Sequence, residues 1–314
     1  MVFSKWLIEF MSNFKYVVCS FNIGIFLLFT ISVGCAKNML NFYNVGQGNF
    51  TMIELDDNVI IVDAGHGGNI FNHDPSGVLL ANDELSGFKI NLTVKNDYMT
   101  RKKLKNASLL KSKNLIVILS HDDRDHYNLM EYWFKLNFKN KKLYYREDQS
   151  VKKTIEDQFS DYNIQKHPLS KTETLKFGEH VIKLIIGNPI GGKSNDKSII
   201  VVLKYKNGSE TIKIVIPGDA TEKTYTSIQS ENREIKEADI LLASHHGADT
   251  EGSNSTQIIN KLNPSVVVFS AALFSQYYHP KTDVLLEYNK ILLEKHSLRD
   301  MESGARSSRQ GRRG

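Results

Sequence analysis

The stretch LIVILSHDDRDHYN, residues 115–128, joins five apolar residues directly to four side chains of the kinds that hold metal ions. Leu115–Leu119 is a continuous aliphatic run, the pattern of a strand covered on both faces rather than one alternating between core and solvent. His121, Asp123, Asp125 and His126 follow at its carboxyl end, where open α/β sheets place their ligands. A turn is not bound to the alternation of a strand, so four such groups within six positions can converge on one point. A helix beginning near Tyr127 needs only one Asp as its cap, so capping does not account for the cluster.

Two later stretches repeat the design. In TIKIVIPGDA, residues 211–220, an apolar strand ends at Asp219; in ADILLASHHGA, residues 238–248, another ends at His245 and His246. Three buried strands thus each deliver ligand-type residues at their carboxyl ends, and a parallel or mixed sheet would bring these to one rim.

The pieces FYNVGQGNFTMIEL (42–55), IIVDAG (60–65), SHDDRDH (120–126), IPGDA (216–220), SHHGA (244–248) and YHP (278–280), in that order, resemble the motifs of the metallo-β-lactamase superfamily. Within it they are most similar to the hydrolase domain of the DNA-uptake protein ComEC and its stand-alone relatives, over residues 38 to about 296. The resemblance implies an α/β fold, an αββα sandwich of two mixed β-sheets with helices on the outer faces. It also implies a hydrolase carrying one or two divalent metal ions, zinc or manganese.

By the same resemblance His121 and Asp123 belong to one metal, Asp125 and His126 to the other, and Asp219 bridges them. His245 or His246 completes the second site; His245 is taken as the ligand, and His246, with Asp125, as a carrier of the leaving-group proton. Asp63 is expected to order the metal loop, and His279 to contact a substrate oxygen. Asp123 stands where the lactamases have a second His, which tilts selectivity from zinc towards manganese or magnesium. No His lies between His180 and Asp219, where the lactamases supply another ligand; Asn195 of SNDKS aligns there as a weak one. His66, in GHGG, is read as a surface histidine of a glycine-rich loop.

The remaining features bound the answer. A chain of 314 residues, 41% apolar, can bury one large core or two small ones. The net charge is +5, and residues 297–314 supply +3 of it through five Arg against Asp300 and Glu302, so the body advertises no broad nucleic-acid groove. That tail is expected to be disordered or foreign to the fold. Residues 1–37 read as a targeting segment: Lys5 and Lys15 precede a charge-free run from Tyr16 to Ala36, long enough to span a bilayer. A signal peptide, a lipoprotein signal with Cys35 as the lipid-bearing residue, and a single-pass anchor all fit, so the domain at 38–296 is expected to be exported and membrane-attached, or otherwise secreted. Cys19 and Cys35 both lie in that segment, which leaves the domain without thiolate ligands or disulfides. Residues 66–113 read as a long polar loop near the cluster, and 141–186 as short strands with polar connections. The expected activity is hydrolysis of phosphodiesters, with DNA the substrate that the ComEC likeness implies. A lactam, lactone or thioester hydrolase, and a metal-poor domain that binds nucleic acid or another partner, are the alternatives.

Overall fold

The unbroken aliphatic runs are explained by what lies on either side of them. The structure, a computed structural model, describes residues 38–43, 45, 47–67, 91–95, 110–187, 192–271 and 278–295. The expectations for residues 1–37, for most of the loop 66–113 and for the tail 297–314 lie outside these.

Among the described residues, β1 (Met39–Tyr43), β2 (Phe50–Leu55), β3 (Asn58–Ala64), β4 (Asn91–Lys95), β5 (Asn114–Ile118), β6 (Asn140–Arg146) and β7 (Gln165–Leu169) form one sheet in the order β4-β1-β2-β3-β5-β6-β7. The strands β8 (Glu173–Phe177), β9 (His180–Ile186), β10 (Ile199–Asn207), β11 (Glu210–Ile216), β12 (Ile240–Leu242) and β13 (Val266–Val268) form a second, β13-β12-β11-β10-β9-β8. Both are mixed: β3 and β5 run parallel while β2 and β3 run antiparallel, and β11 and β12 run parallel while β10 and β11 run antiparallel.

Period-two alternation sends neighbouring residues to different layers. Ile116 and Ile118 of β5 join Ile214, Ile216, Ile240, Leu242, Val266 and Val268 in the core between the sheets. Leu115 and Val117 face outward onto Met130, Trp133 and Phe134 of α2 (Met130–Phe134) and Val151, Ile155 and Phe159 of α3 (Gln149–Phe159). On the other side Val215, Leu241 and Val267 pack with Tyr225 of α4 (Glu222–Ser227), Ile235 of α5 (Asn232–Ile235), Ile258 and Ile259 of α6 (Thr256–Leu262), and Val284 and Tyr288 of a helix over residues 282–295, α7. The result is the expected αββα sandwich. Among the described residues no helix is long and apolar enough to cross a membrane.

Five details depart from the sequence reading, one being that β4 lies within the stretch 66–113 read as a loop and pairs with β1. The ligand-bearing strands do not share one rim: β5 belongs to the first sheet, β11 and β12 to the second, so two rims meet. The helix expected to begin near Tyr127 is two, α1 (Arg124–Tyr127) and α2. The backbone groups that would fuse them are spent elsewhere, since Leu129 N–H donates to Ala64 at 2.8 Å and the Asp125 carbonyl accepts from Asn49 N–H at 3.1 Å. Within 141–186 stands a helix, α3, capped by Asp148, which accepts from Ser150 N–H at 3.0 Å. Finally, Asn207-Gly208 reads in the sequence as a hairpin turn, but Asn207 pairs with Glu210, so the loop is Gly208-Ser209, one residue later.

Candidate metal centre

Asp63 closes β3 with left-handed backbone, φ 54°, a cost a non-glycine residue bears only where its surroundings demand it. Its fully buried carboxylate accepts three hydrogen bonds: from Ser120 N–H, from Ser120 Oγ and from His126 Nδ1, each at 2.8 Å. These bonds fix which ring nitrogens face inward. Ser120 gives its one hydroxyl proton to Asp63, so its oxygen accepts from His121 Nδ1, 3.0 Å away. His126 likewise spends its Nδ1–H on Asp63. From the other sheet, His246 Nδ1 donates to the Ser270 carbonyl at 2.8 Å. In all three rings the bare Nε2 is then the atom left for the centre, the arrangement typical of metal-ligating histidines.

The three Nε2 atoms are buried and have no hydrogen-bond partner among the described residues. They gather about Asp219, whose carboxylate lies 3.1 Å from His126, 3.6 Å from His246 and 3.9 Å from His121. Asp125 stands 3.4 Å from His246, and Asp123 3.4 Å from His121. Two sets therefore have ligand atoms close enough to share a cation: His121, His126 and Asp219; and Asp125, His126 and His246. Orphaned imidazole nitrogens beside clustered carboxylates are costly unless something positive sits among them, so these residues fit a divalent metal.

The structure separates the adjacent histidines. His246, expected to carry a proton, lies in the second set; His245, expected to be the ligand, belongs to neither, although its Nε2 is 3.6 Å from Asp219 and its ring is more exposed. Both have left-handed backbone, φ 48° and 57°, which no sequence periodicity anticipates. The loop is held by a buried amide: Asn254 Nδ2 donates to the Ser244 carbonyl at 2.9 Å and the Ala248 carbonyl at 2.6 Å, while Tyr288 donates to Asn254 Oδ1 at 3.0 Å. Neither Asn254 nor Tyr288 stood out in the sequence, because they act across 34 positions of chain.

Asn195 is not among the described residues lining the pocket. Its neighbour Asp196 is the buried acid of SNDKS, accepting from Thr221 Oγ1 at 2.5 Å and Lys193 N–H at 2.9 Å. Asp196 thereby anchors the turn that follows Asp219. Another missed group, Asn49, points its amide at Asp219 at 3.4 Å.

Charge follows this geometry. Burial alone would raise the Asp219 carboxyl, but His126, His246 and His121 outweigh it and hold the group well below the usual carboxylate range. Burial would likewise lower His126 and His246; Asp219 with Asp63 raises the first well above the imidazole value, and Asp219 with Asp125 raises the second. Asp125 is brought down to about 2 as the His246 imidazole, 3.4 Å away, and that of His126 overcome its burial. Asp123 is lowered chiefly by the His121 imidazole 3.4 Å away. Burial, aided by His246 and His245, holds His279 down at about 4. The centre opens into a pocket of about 500 Å³ lined by Gln47, His66, Gly67, Asp123, Arg124, Asp125, Asn128, Asp219, His245, His246 and His279.

No protein-family model matches the chain, and no curated protein does. Among solved structures it is similar to the metallo-beta-lactamase fold protein YhfI from Bacillus subtilis, at 12% identity over 81% of this chain and 92% of that one, TM-score 0.46. A diphosphatase from the PhnP family matches at 10% identity over 70% of this chain and 72% of that one, TM-score 0.40. MEM-A1, a subclass B3 metallo-beta-lactamase from a soil metagenome library, matches at 10% identity over 83% of this chain and 97% of that one, TM-score 0.39.

Proposed function

We propose that this chain is a metal-dependent hydrolase of phosphodiesters, with DNA as the leading substrate. The observation that carries the hydrolase reading is the convergence of three partnerless imidazole Nε2 atoms on the Asp219 carboxylate. His121 and Asp219 would hold one cation with Asp123 at its edge; Asp125, His126 and His246 would hold a second, with Asp219 shared. Divalent cations bound there would ionise water near neutral pH and offset the charge of an anionic ester. The chain's own groups do the rest. Asp63, Ser120 and the Ser270 carbonyl hold the imidazoles in the ligating tautomer. Asp125, with its carboxyl at about 2, is ionised at neutral pH and serves as a ligand rather than a proton donor. His279, neutral at that pH, offers a hydrogen bond to a substrate oxygen from the pocket wall.

Arg124 at the pocket supports an anionic substrate; DNA, and an exported, membrane-attached location, rest on the ComEC-like motifs and the apolar run at 16–36. The test is elemental analysis of the full chain, followed by assays with manganese or zinc on DNA and on bis-p-nitrophenyl phosphate. Bound metal, and cleavage of both substrates that ceases with chelator or Asp219→Asn, is the expected result. Cleavage of the small diester alone would remove DNA. Turnover of a chromogenic lactam without either would replace the substrate class, and a chain that takes up no metal would end the hydrolase reading.

A further inference from the structure

His66 is more firmly placed than a surface histidine has reason to be. Its N–H donates to Asn128 Oδ1 at 2.8 Å and its carbonyl accepts from Asn128 Nδ2 at 2.8 Å, so one amide closes both backbone groups of a single residue. The glycines on either side leave no slack. A Cβ at Gly65 would come within 2.0 Å of the Asp125 carbonyl oxygen, and one at Gly67 within 1.8 Å of the Gln47 carbonyl oxygen. The loop is thus packed backbone to backbone against the residue that supplies a carboxylate to the centre. His66 itself lines the pocket with Asp125, Asp219 and His279.

We propose that His66 is a substrate-contacting residue that donates a ring N–H to a non-bridging oxygen of a bound phosphoryl group. This rests on the phosphodiester reading above. A phosphoryl group held at cations among Asp123, Asp125 and Asp219 turns its remaining oxygens towards the pocket walls, away from those carboxylates. A donor there is most effective when it needs little reorganisation, and a backbone clamped at both polar groups fixes the point from which the His66 ring extends. Arg124 also reaches the pocket but is exposed at the start of a four-residue helix.

The experiment measures binding of inorganic phosphate to the metal-loaded full chain by calorimetry, for wild type, His66→Ala and His66→Asn, with metal content and Tm recorded alongside. His66→Ala is expected to bind phosphate about tenfold more weakly at unchanged metal content and Tm, His66→Asn to recover part of the loss through its amide donor, and chelated wild type not to bind. With a diester substrate the Ala variant should raise KM more than it lowers kcat. Equal phosphate affinity in all three proteins would overturn the proposal, as would loss of metal or of Tm in both variants, which would mark a structural role. Absence of phosphate binding in loaded wild type would also overturn it, while diester cleavage by the same preparation separately decides the phosphodiesterase reading.

Discussion

Asp63 governs a choice made at a single atom: which nitrogen of His126 carries the proton. Replacing it with Asn keeps the shape but offers an N–H where a lone pair stood, so His126 is driven to accept at Nδ1 and to protonate Nε2. Asp63→Asn is therefore expected to weaken metal binding by about 10- to 100-fold, the usual effect of losing such a supporting carboxylate. Competitive metal titration checks this, and an affinity within threefold of wild type would refute it. At the histidine pair, His246→Ala is expected to remove bound metal, as read by elemental analysis, while His245→Ala leaves most of it. The gathering of His121, Asp125, His126 and Asp219 was legible, because each follows an apolar run that betrays its strand. The order within His245-His246 was not, since it is set by left-handed backbone and by Asn254. The bracing of the His66 backbone was not legible either, because the amide that clamps it lies 62 positions away.

Among the elements, the strands were nearly all visible and the helices less so. A strand between two apolar layers writes itself as an aliphatic run, whereas α3 shows only Val151, Ile155 and Phe159 among polar residues. Its start is nonetheless encoded by Asp148, which accepts from Ser150 and pairs with Lys197 at 2.7 Å. Asp148→Ala should cost about 1 kcal/mol in chemical denaturation, as for other lost N-caps. The Asp148 carboxyl is lowered to about 2, since the bonds from Lys197 and Ser150 overcome its burial. Its contribution to stability is accordingly present above the unfolded value of about 3.9 and is lost as pH falls through about 2. Comparison of wild type and Asp148→Ala at pH 7 and pH 2 should show the difference shrink at the lower pH. The division between α1 and α2 could not be read locally, because the groups that enforce it, Ala64 and Asn49, lie in the strand region far upstream.

For the molecule as a whole, the order of motifs was enough to place the chain in a two-sheet sandwich, but not to say that the ligands straddle it. That division has a pH signature. Without a cation, His126 and His246 are raised above the ordinary imidazole value: burial opposes this, and Asp219, Asp63 and Asp125 outweigh it. Their protonated forms stabilise the metal-free protein fully below about pH 6.5, and this is lost as pH rises through their folded values. A cation must displace those protons, so its apparent affinity climbs over the same range. The difference in Tm between loaded and chelated protein should widen from pH 6 to pH 8; a constant or narrowing gap would contradict it.

His121, Asp125 and His126 leave the first sheet, and Asp219 and His246 leave the second. An ion seated among them is in effect a rivet driven through the seam. Slower amide hydrogen exchange after loading should then reach β3 and β5 on one side and β11 and β12 on the other, tying the rigidity of the whole sandwich to the same chemistry that readies it for turnover.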